Sequence, residues 1–170
     1  MTAYRLVRRR STAAEFHAMP LPDPVEPEIW LHEITAPALV LGSTQLDDVV
    51  DPIACEQHGI EVVRRRSGGG AVLLIPDAVV WVDVILPAGS AGWTDDVHRP
   101  MVWFGECLAA AFAQVGVGGT AVHDGAMIST AASQLVCFDG LGPGELTLDG
   151  AKLVGISQRR TRSAARLQAC

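Results

Sequence analysis

Short apolar runs separated by Pro, Gly and Asp restrict the architecture of this chain more than any other feature. Glu28 to Ile34, Pro37 to Gly42, Gly59 to Arg66, Ala71 to Pro76 and Val79 to Leu86 follow one another, rich in Val, Ile and Leu. Each has the length and punctuation of a strand rather than of a helix. Asp47 to His58 interrupts them as a short predicted helix, for which Asp47 or Asp51 offers an N-cap carboxylate. Long helical periodicity occurs from Asp96 to Val115, where Val97, Met101, Phe104, Leu108, Ala111, Phe112 and Val115 form one stripe. Gly116 is placed to end that helix and Asp95-Asp96 to cap it. Ala126 to Cys137 reads as strand-like. Glu145 to Leu148 and Ala151 to Ser157 flank Asp149-Gly150, a pair suited to the two positive-φ positions of a type I′ turn, so a hairpin is expected with Lys152 just past the turn. Arg159, Arg160, Arg162 and Arg166 surround a last strand.

These elements predict an α/β (α+β) domain, a mixed β-sheet flanked by helices. Residues 1–28 carry Arg8, Arg9 and Arg10 and then Pro20, Pro22, Pro24 and Pro27. Because proline lacks an amide donor and fixes φ, this stretch is expected to be an irregular N-terminal arm ahead of one domain over 29–170. A chain of 170 residues, 49% hydrophobic, suffices for one substantial core.

Charge and cysteine usage exclude several function classes. A net charge of -6 argues against a general nucleic-acid-binding surface. No apolar run reaches membrane-spanning length, and the basic start is not followed by the apolar core of a secretory signal. Cys55, Cys107, Cys137 and Cys170 lie far apart without zinc-ligand spacing, the pattern of reduced thiols in a cytoplasmic protein with no metal site. His17, His32, His58, His98 and His123 are scattered and are assigned surface or core roles.

Two segments could carry chemistry. Val63-Arg64-Arg65-Arg66-Ser67-Gly68-Gly69-Gly70-Ala71-Val72 joins a basic strand to an apolar one through three glycines, which allow a backbone to approach a ligand closely. It lacks the Lys and Ser/Thr of a P-loop and is not followed by a helix, so the nucleotide-binding loops of that kind do not fit. On a strand, Arg64 and Arg66 share one face and Arg65 takes the other. The second segment is Asp149-Gly150-Ala151-Lys152-Leu153-Val154-Gly155-Ile156-Ser157-Gln158-Arg159. Of thirteen basic residues Lys152 is the one lysine, and a compact ammonium serves a phosphate or an oxyanion differently from a guanidinium. A solvated hairpin lysine is the alternative.

Together, Arg-Arg-x-Ser-Gly-Gly-Gly-Ala-Val and, about eighty residues later, Asp-Gly-x-Lys-Leu-Val-Gly-x-x-Gln-Arg resemble the paired signature of the lipoate-protein ligases and related octanoyltransferases, in the biotin and lipoate protein ligase superfamily. Val40-Leu41-Gly42-Ser43-Thr44-Gln45 resembles the family's strand and turn before the glycine loop. The resemblance implies a class II aminoacyl-tRNA synthetase-like catalytic domain in which lipoate or octanoate is activated with ATP and Mg2+ to an acyl-AMP and passed to a lysine of a lipoyl-carrier domain. That carrier would be of the 2-oxoacid dehydrogenase E2 or glycine cleavage H protein type. By position, Arg65, Ser67, Gly68, Gly69, Gly70, Ala71 and Gly155 would embrace the acyl-adenylate, Gln45 would support it, and Lys152 would bind its carbonyl and phosphate oxygens. The family's Leu-Gln is normally followed by His-Gly and further strands, whereas here Leu167-Gln168 is followed by Ala169-Cys170, so the domain is expected to be incomplete at its C-terminus. Val136-Cys137-Phe138 resembles the segment of octanoyltransferases that carry the acyl chain as a cysteine thioester taken from an acyl carrier protein, which would make ATP unnecessary. A small buried hydrophobe is the other reading of Cys137. A catalytically silent relative that binds an acyl ligand or a carrier is the third functional expectation. Arg159 to Arg166 would suit an acidic carrier, or form a solvated basic face.

Overall fold

A computed structural model describes residues 3–170. Five strands form the main sheet: β1 (Arg5–Ser11), β2 (Glu28–Ile34), β6 (Trp81–Pro87), β10 (Ile156–Arg160) and β11 (Ala164–Ala169), in the order β1-β2-β6-β11-β10. β1 and β2 pair in parallel and the other neighbours are antiparallel. A smaller sheet runs β4-β3-β5, from β3 (Ala38–Leu41), β4 (Glu61–Arg64) and β5 (Val72–Leu74). A third, antiparallel, is β7-β8-β9, from β7 (Thr120–Val122), β8 (Leu146–Leu148) and β9 (Ala151–Val154). The helices are α1 (Ala13–Ala18), α2 (Pro52–Gln57) and α3 (His98–Gln114).

β6 is central, and its near-continuous apolar sequence reflects burial on both faces. Val84 and Leu86 join Ala165 and Leu167 of β11, Ile156 and Phe104 of α3 in one core cluster. Trp81, on the other face, packs with Phe16 of α1, Val40, Val63 and Leu74 in a second. Full burial of each such side chain contributes about 1.5–3 kcal/mol. The polar centre of the second face is Asp83, fully buried, which accepts from His32 Nε2 at 2.7 Å, Arg166 Nε at 2.7 Å and Trp81 Nε1 at 2.9 Å. Burial pushes the Asp83 carboxyl up, but the His32 hydrogen bond and the Arg166 charge outweigh it and hold the group below the usual carboxylate range.

The proline-rich residues 19–27 are irregular as expected, but residues 5–18 ahead of them are ordered into β1 and α1. β1 pairs along its whole length with β2, and Thr12 and Glu15 form a capping box at the start of α1. Arginines are tolerated in β1 because it is an edge strand: Arg5 pairs with Glu28, Arg10 donates to Glu33 at 2.8 Å, and the Arg9 guanidinium lies 4.3 Å from the Trp30 ring. Ala126 to Cys137 is also not a strand. It contains the 3-10 turn Ala132–Gln134, runs into a second at Cys137–Asp139, and joins its surroundings through isolated bridges, Ile128 to Leu141 and Ala71 to Val136. The small residues Ala131, Ala132 and Ser133 carry no period-2 face to bury, and Ser133 instead caps the turn by accepting from the Thr130 amide at 2.9 Å. In α3, Met101, Phe104, Leu108 and Phe112 face the core, while Val97 and Val115 stay exposed at its ends.

Candidate active site

The Asp149-Gly150 turn has the two positive φ angles read from the sequence, 51° and 82°. β9 therefore leaves the turn with Lys152 directed inward, its side chain only 4% exposed. Its Nζ lies 2.7 Å from Glu145 Oε2 and donates to the carbonyls of Gly140 at 3.0 Å and Cys137 at 3.1 Å. Cys137 Sγ is 3.9 Å from the same nitrogen, and the Phe138 ring centre 5.3 Å. Glu145, immediately before β8, accepts the Gly142 amide at 2.6 Å and, through Oε1, the Ile156 amide at 3.0 Å.

The glycine loop arrives from the small sheet. Arg65 turns away from Arg64, is 8% exposed, and is spent on the loop itself: it donates to Ser67 Oγ at 3.1 Å and to the carbonyls of Val40, Gly68 and Gly70 at 3.2, 2.8 and 2.7 Å. Arg64 likewise donates to the Gly42 carbonyl at 2.8 Å and Gln45 carbonyl at 2.6 Å. Gly69 has a φ of +94°, and a Cβ there would stand 3.9 Å from Cys137 Sγ. Ala71 exchanges bonds with the opposite segment, its amide to the Leu135 carbonyl at 2.7 Å and its carbonyl from the Cys137 amide at 3.0 Å. Gln45 spans the same seam, accepting the Gly42 amide at 2.9 Å and donating to the Gln134 carbonyl at 2.9 Å.

These contacts bring the two sequence segments to one cavity of about 250 Å³. Its wall holds Arg65, Gly68, Gly69, Gly70, Cys137, Lys152 and Gly155, with apolar side chains of Val40, Val72, Leu74, Trp81, Met101 and Met127. Gln45, Ser67 and Ala71 are not on that wall and act in its frame. Among the titratable wall residues not assigned to the site from the sequence are Glu145 and His17. Burial, then the charges of Arg166 and Arg65, push the His17 imidazole down to about 4, so it is neutral at pH 7. Cys170 also reaches the wall, but burial pushes its thiol up to about 11, leaving it unreactive at neutral pH. A second hollow of about 90 Å³ adjoins the first, sharing His17 and Gln168 and adding Arg66, Ser67, Gln158, Arg159 and Arg166. Among the described residues Arg159 Nη1, Gln158 Nε2 and Gln168 Nε2 are buried there without acceptors.

A model of the lipoyl protein ligase A/B catalytic domain matches residues 14–169. The chain belongs to this family. The match includes α1 from its second residue and the second half of the segment expected to be an arm. No curated protein gives a significant match. Among solved structures, the lipoyl protein ligase A/B fold of this chain is similar to lipoate-protein ligase A bound with ATP, at a TM-score of 0.70 and 15% identity over 98% of this chain and 65% of that one. Protein Ta0514 from T. acidophilum with bound lipoic acid gives 0.70 and 15% over 98% and 66%. The bi-partite lipoate protein ligase from Thermoplasma acidophilum, studied with its E2 lipoyl domain, gives 0.62 and 15% over 99% and 61%. The chain spans 66% or less of the length of each of these structures. No helix among the described residues is long and apolar enough to cross a membrane.

Proposed function

We propose that this domain moves an acyl group of the lipoyl or octanoyl class onto a lysine of a lipoyl-carrier domain, and that the group travels through a thioester on Cys137. The observation that carries this reading is the meeting of thiol, ammonium and glycine loop on one apolar cavity, with Sγ 3.9 Å from Lys152 Nζ. A volume of about 250 Å³ falls near the lower end for small-molecule sites and suits one short acyl chain. The cations on the wall are compensated: the Lys152 ammonium has three acceptors, and Arg65 serves three loop oxygens and the Val40 carbonyl of β3. Such a wall is better matched to a neutral thioester than to a triphosphate.

In the first step the Cys137 thiolate attacks the carbonyl of an acyl thioester on a donor carrier protein. The new S–C bond forms, the donor C–S bond breaks, and the departing thiolate takes a proton from Lys152. In the second step the acceptor lysine amine attacks the acyl-Cys137 carbonyl, the C–N bond forms, Cys137 leaves as thiolate, and Lys152 regains a proton from the amine. The test is to mix the protein with octanoyl-acyl carrier protein and an apo lipoyl domain, without nucleotide, and to weigh every species. The expected result is an octanoyl adduct on the protein, absent in Cys137→Ser, and an octanoylated lipoyl domain.

An acyl-adenylate route is the second reading. The small hollow beside Ser67 favours it, because its unpartnered Arg159, Gln158 and Gln168 donors suit a carboxylate or phosphate, and similar folds bind ATP and lipoic acid. Octanoylation that needs octanoate and ATP and survives Cys137→Ser would replace the thioester route with this one. Failure of both assays would leave an acyl- or carrier-binding domain without turnover.

A further inference from the structure

Glu145 belongs to neither signature, yet its carboxylate is the most tightly fixed group near the nucleophile. Its side chain is 7% exposed and that of Lys152 4%. One oxygen meets the Lys152 ammonium at 2.7 Å and the Gly142 amide at 2.6 Å; the other takes the Ile156 amide at 3.0 Å. Backbone amides thus hold the carboxylate from both sides and prevent it from swinging out to water. Gly155 borders the pair: a Cβ there would stand 3.4 Å from Lys152 Cε and 3.8 Å from Glu145 Oε1, in ordinary van der Waals contact. The sequence of contacts is nucleophile, proton carrier, orienting carboxylate, the arrangement by which a positioned third group directs an acid–base partner.

We propose that Glu145 is the positioning residue of a Cys137–Lys152–Glu145 triad, and that its charge lets Lys152 recover, from the acceptor amine, the proton it lends to the donor thiolate. The inference rests on the thioester reading. It has an asymmetric consequence. A buried cation without its carboxylate can still release a proton in the first step, but the buried amine left behind gains less by taking one up in the second. Slowing therefore falls on transfer and not on acylation. A purely structural Glu145 would slow both halves alike.

Single-turnover assays on wild type and Glu145→Gln test this, with octanoyl-acyl carrier protein as donor and the apo lipoyl domain as acceptor. The variant should form the Cys137 adduct within about threefold of the wild-type rate and pass it on at least about tenfold more slowly, so that octanoyl-protein accumulates. Equal slowing of both halves, or wild-type rates in both, overturns the triad alone. Absence of an adduct on wild-type protein overturns the thioester reading and the triad with it. Should Glu145→Gln fail to fold, wild-type protein carrying 15N-lysine decides, because Lys152 is the chain's one lysine. A slowly exchanging ammonium signal is expected, and a solvent-averaged one overturns the pairing.

Discussion

A Cβ on Gly70 would lie 2.6 Å from the Val136 carbonyl carbon and 2.7 Å from the Cys137 amide nitrogen. Both obstacles are backbone, so neither can rotate away. Gly70→Ala is therefore expected to push the Cys137 segment off the loop, lowering octanoyl transfer by at least about tenfold, because small misplacements of reacting atoms are costly. Lys152→Ala acts on a different balance. It removes the proton carrier and also leaves Glu145 buried without its cation, so a loss of about 3–5 kcal/mol in urea unfolding should accompany the loss of transfer. At this scale the sequence was informative where residue choice was extreme. The glycine triplet and the single lysine in an arginine-rich chain both pointed to the cavity wall. Glu145 left a weaker trace: a lysine turned inward beside a hairpin requires a nearby carboxylate, and only its register decides between Glu145 and Asp149.

Where elements pack, α3 and the turn before β8 approach through glycine on both sides. A Cβ on Gly105 would meet the Gly144 carbonyl oxygen at 2.1 Å, and one on Gly144, whose φ is +82°, the Met101 carbonyl oxygen at 2.2 Å. This contact sets the height of the turn that delivers Glu145. Gly105→Ala, although favourable for helix propensity, should lower stability by about 1–3 kcal/mol through overpacking, measurable as a fall in Tm. Elements with a regularly buried face or a turn of fixed geometry were legible in advance: β2, which buries alternate residues, has the bounds read from its apolar run, and the hairpin follows from Asp149-Gly150. β1 was not, because an edge strand bonds one neighbour and can show arginines to water. Its successor α1 did carry a readable sign, Thr12-Ala-Ala-Glu15, overshadowed by the prolines after it. The segment before Cys137 had none, since its shape is imposed by the Gly70 and Ala71 backbone across the seam.

Across the molecule, acid should weaken the fold. His17 is held neutral down to about 4 in the folded chain against an ordinary value of 6.5, so the unfolded chain binds its proton first as pH falls. Its contribution is present above about 6.5, and about 2–3 kcal/mol is lost as pH drops from there towards 4. Asp83, held below its ordinary value, adds a further loss at lower pH. Urea midpoints measured from pH 7 to pH 4 should decline, and His17→Gln should flatten the upper part of that decline. The pairing of Lys152 inside the wall has one more implication. An activated acyl group destined for an amine is a hazard to the protein that handles it. Here, five imidazoles apart, every other basic side chain is a guanidinium, and the single primary amine among the side chains is buried against a carboxylate. Apart from Lys152 itself, which stands beside the nucleophile, the domain thereby gives its own cargo no side-chain primary amine to modify by mistake.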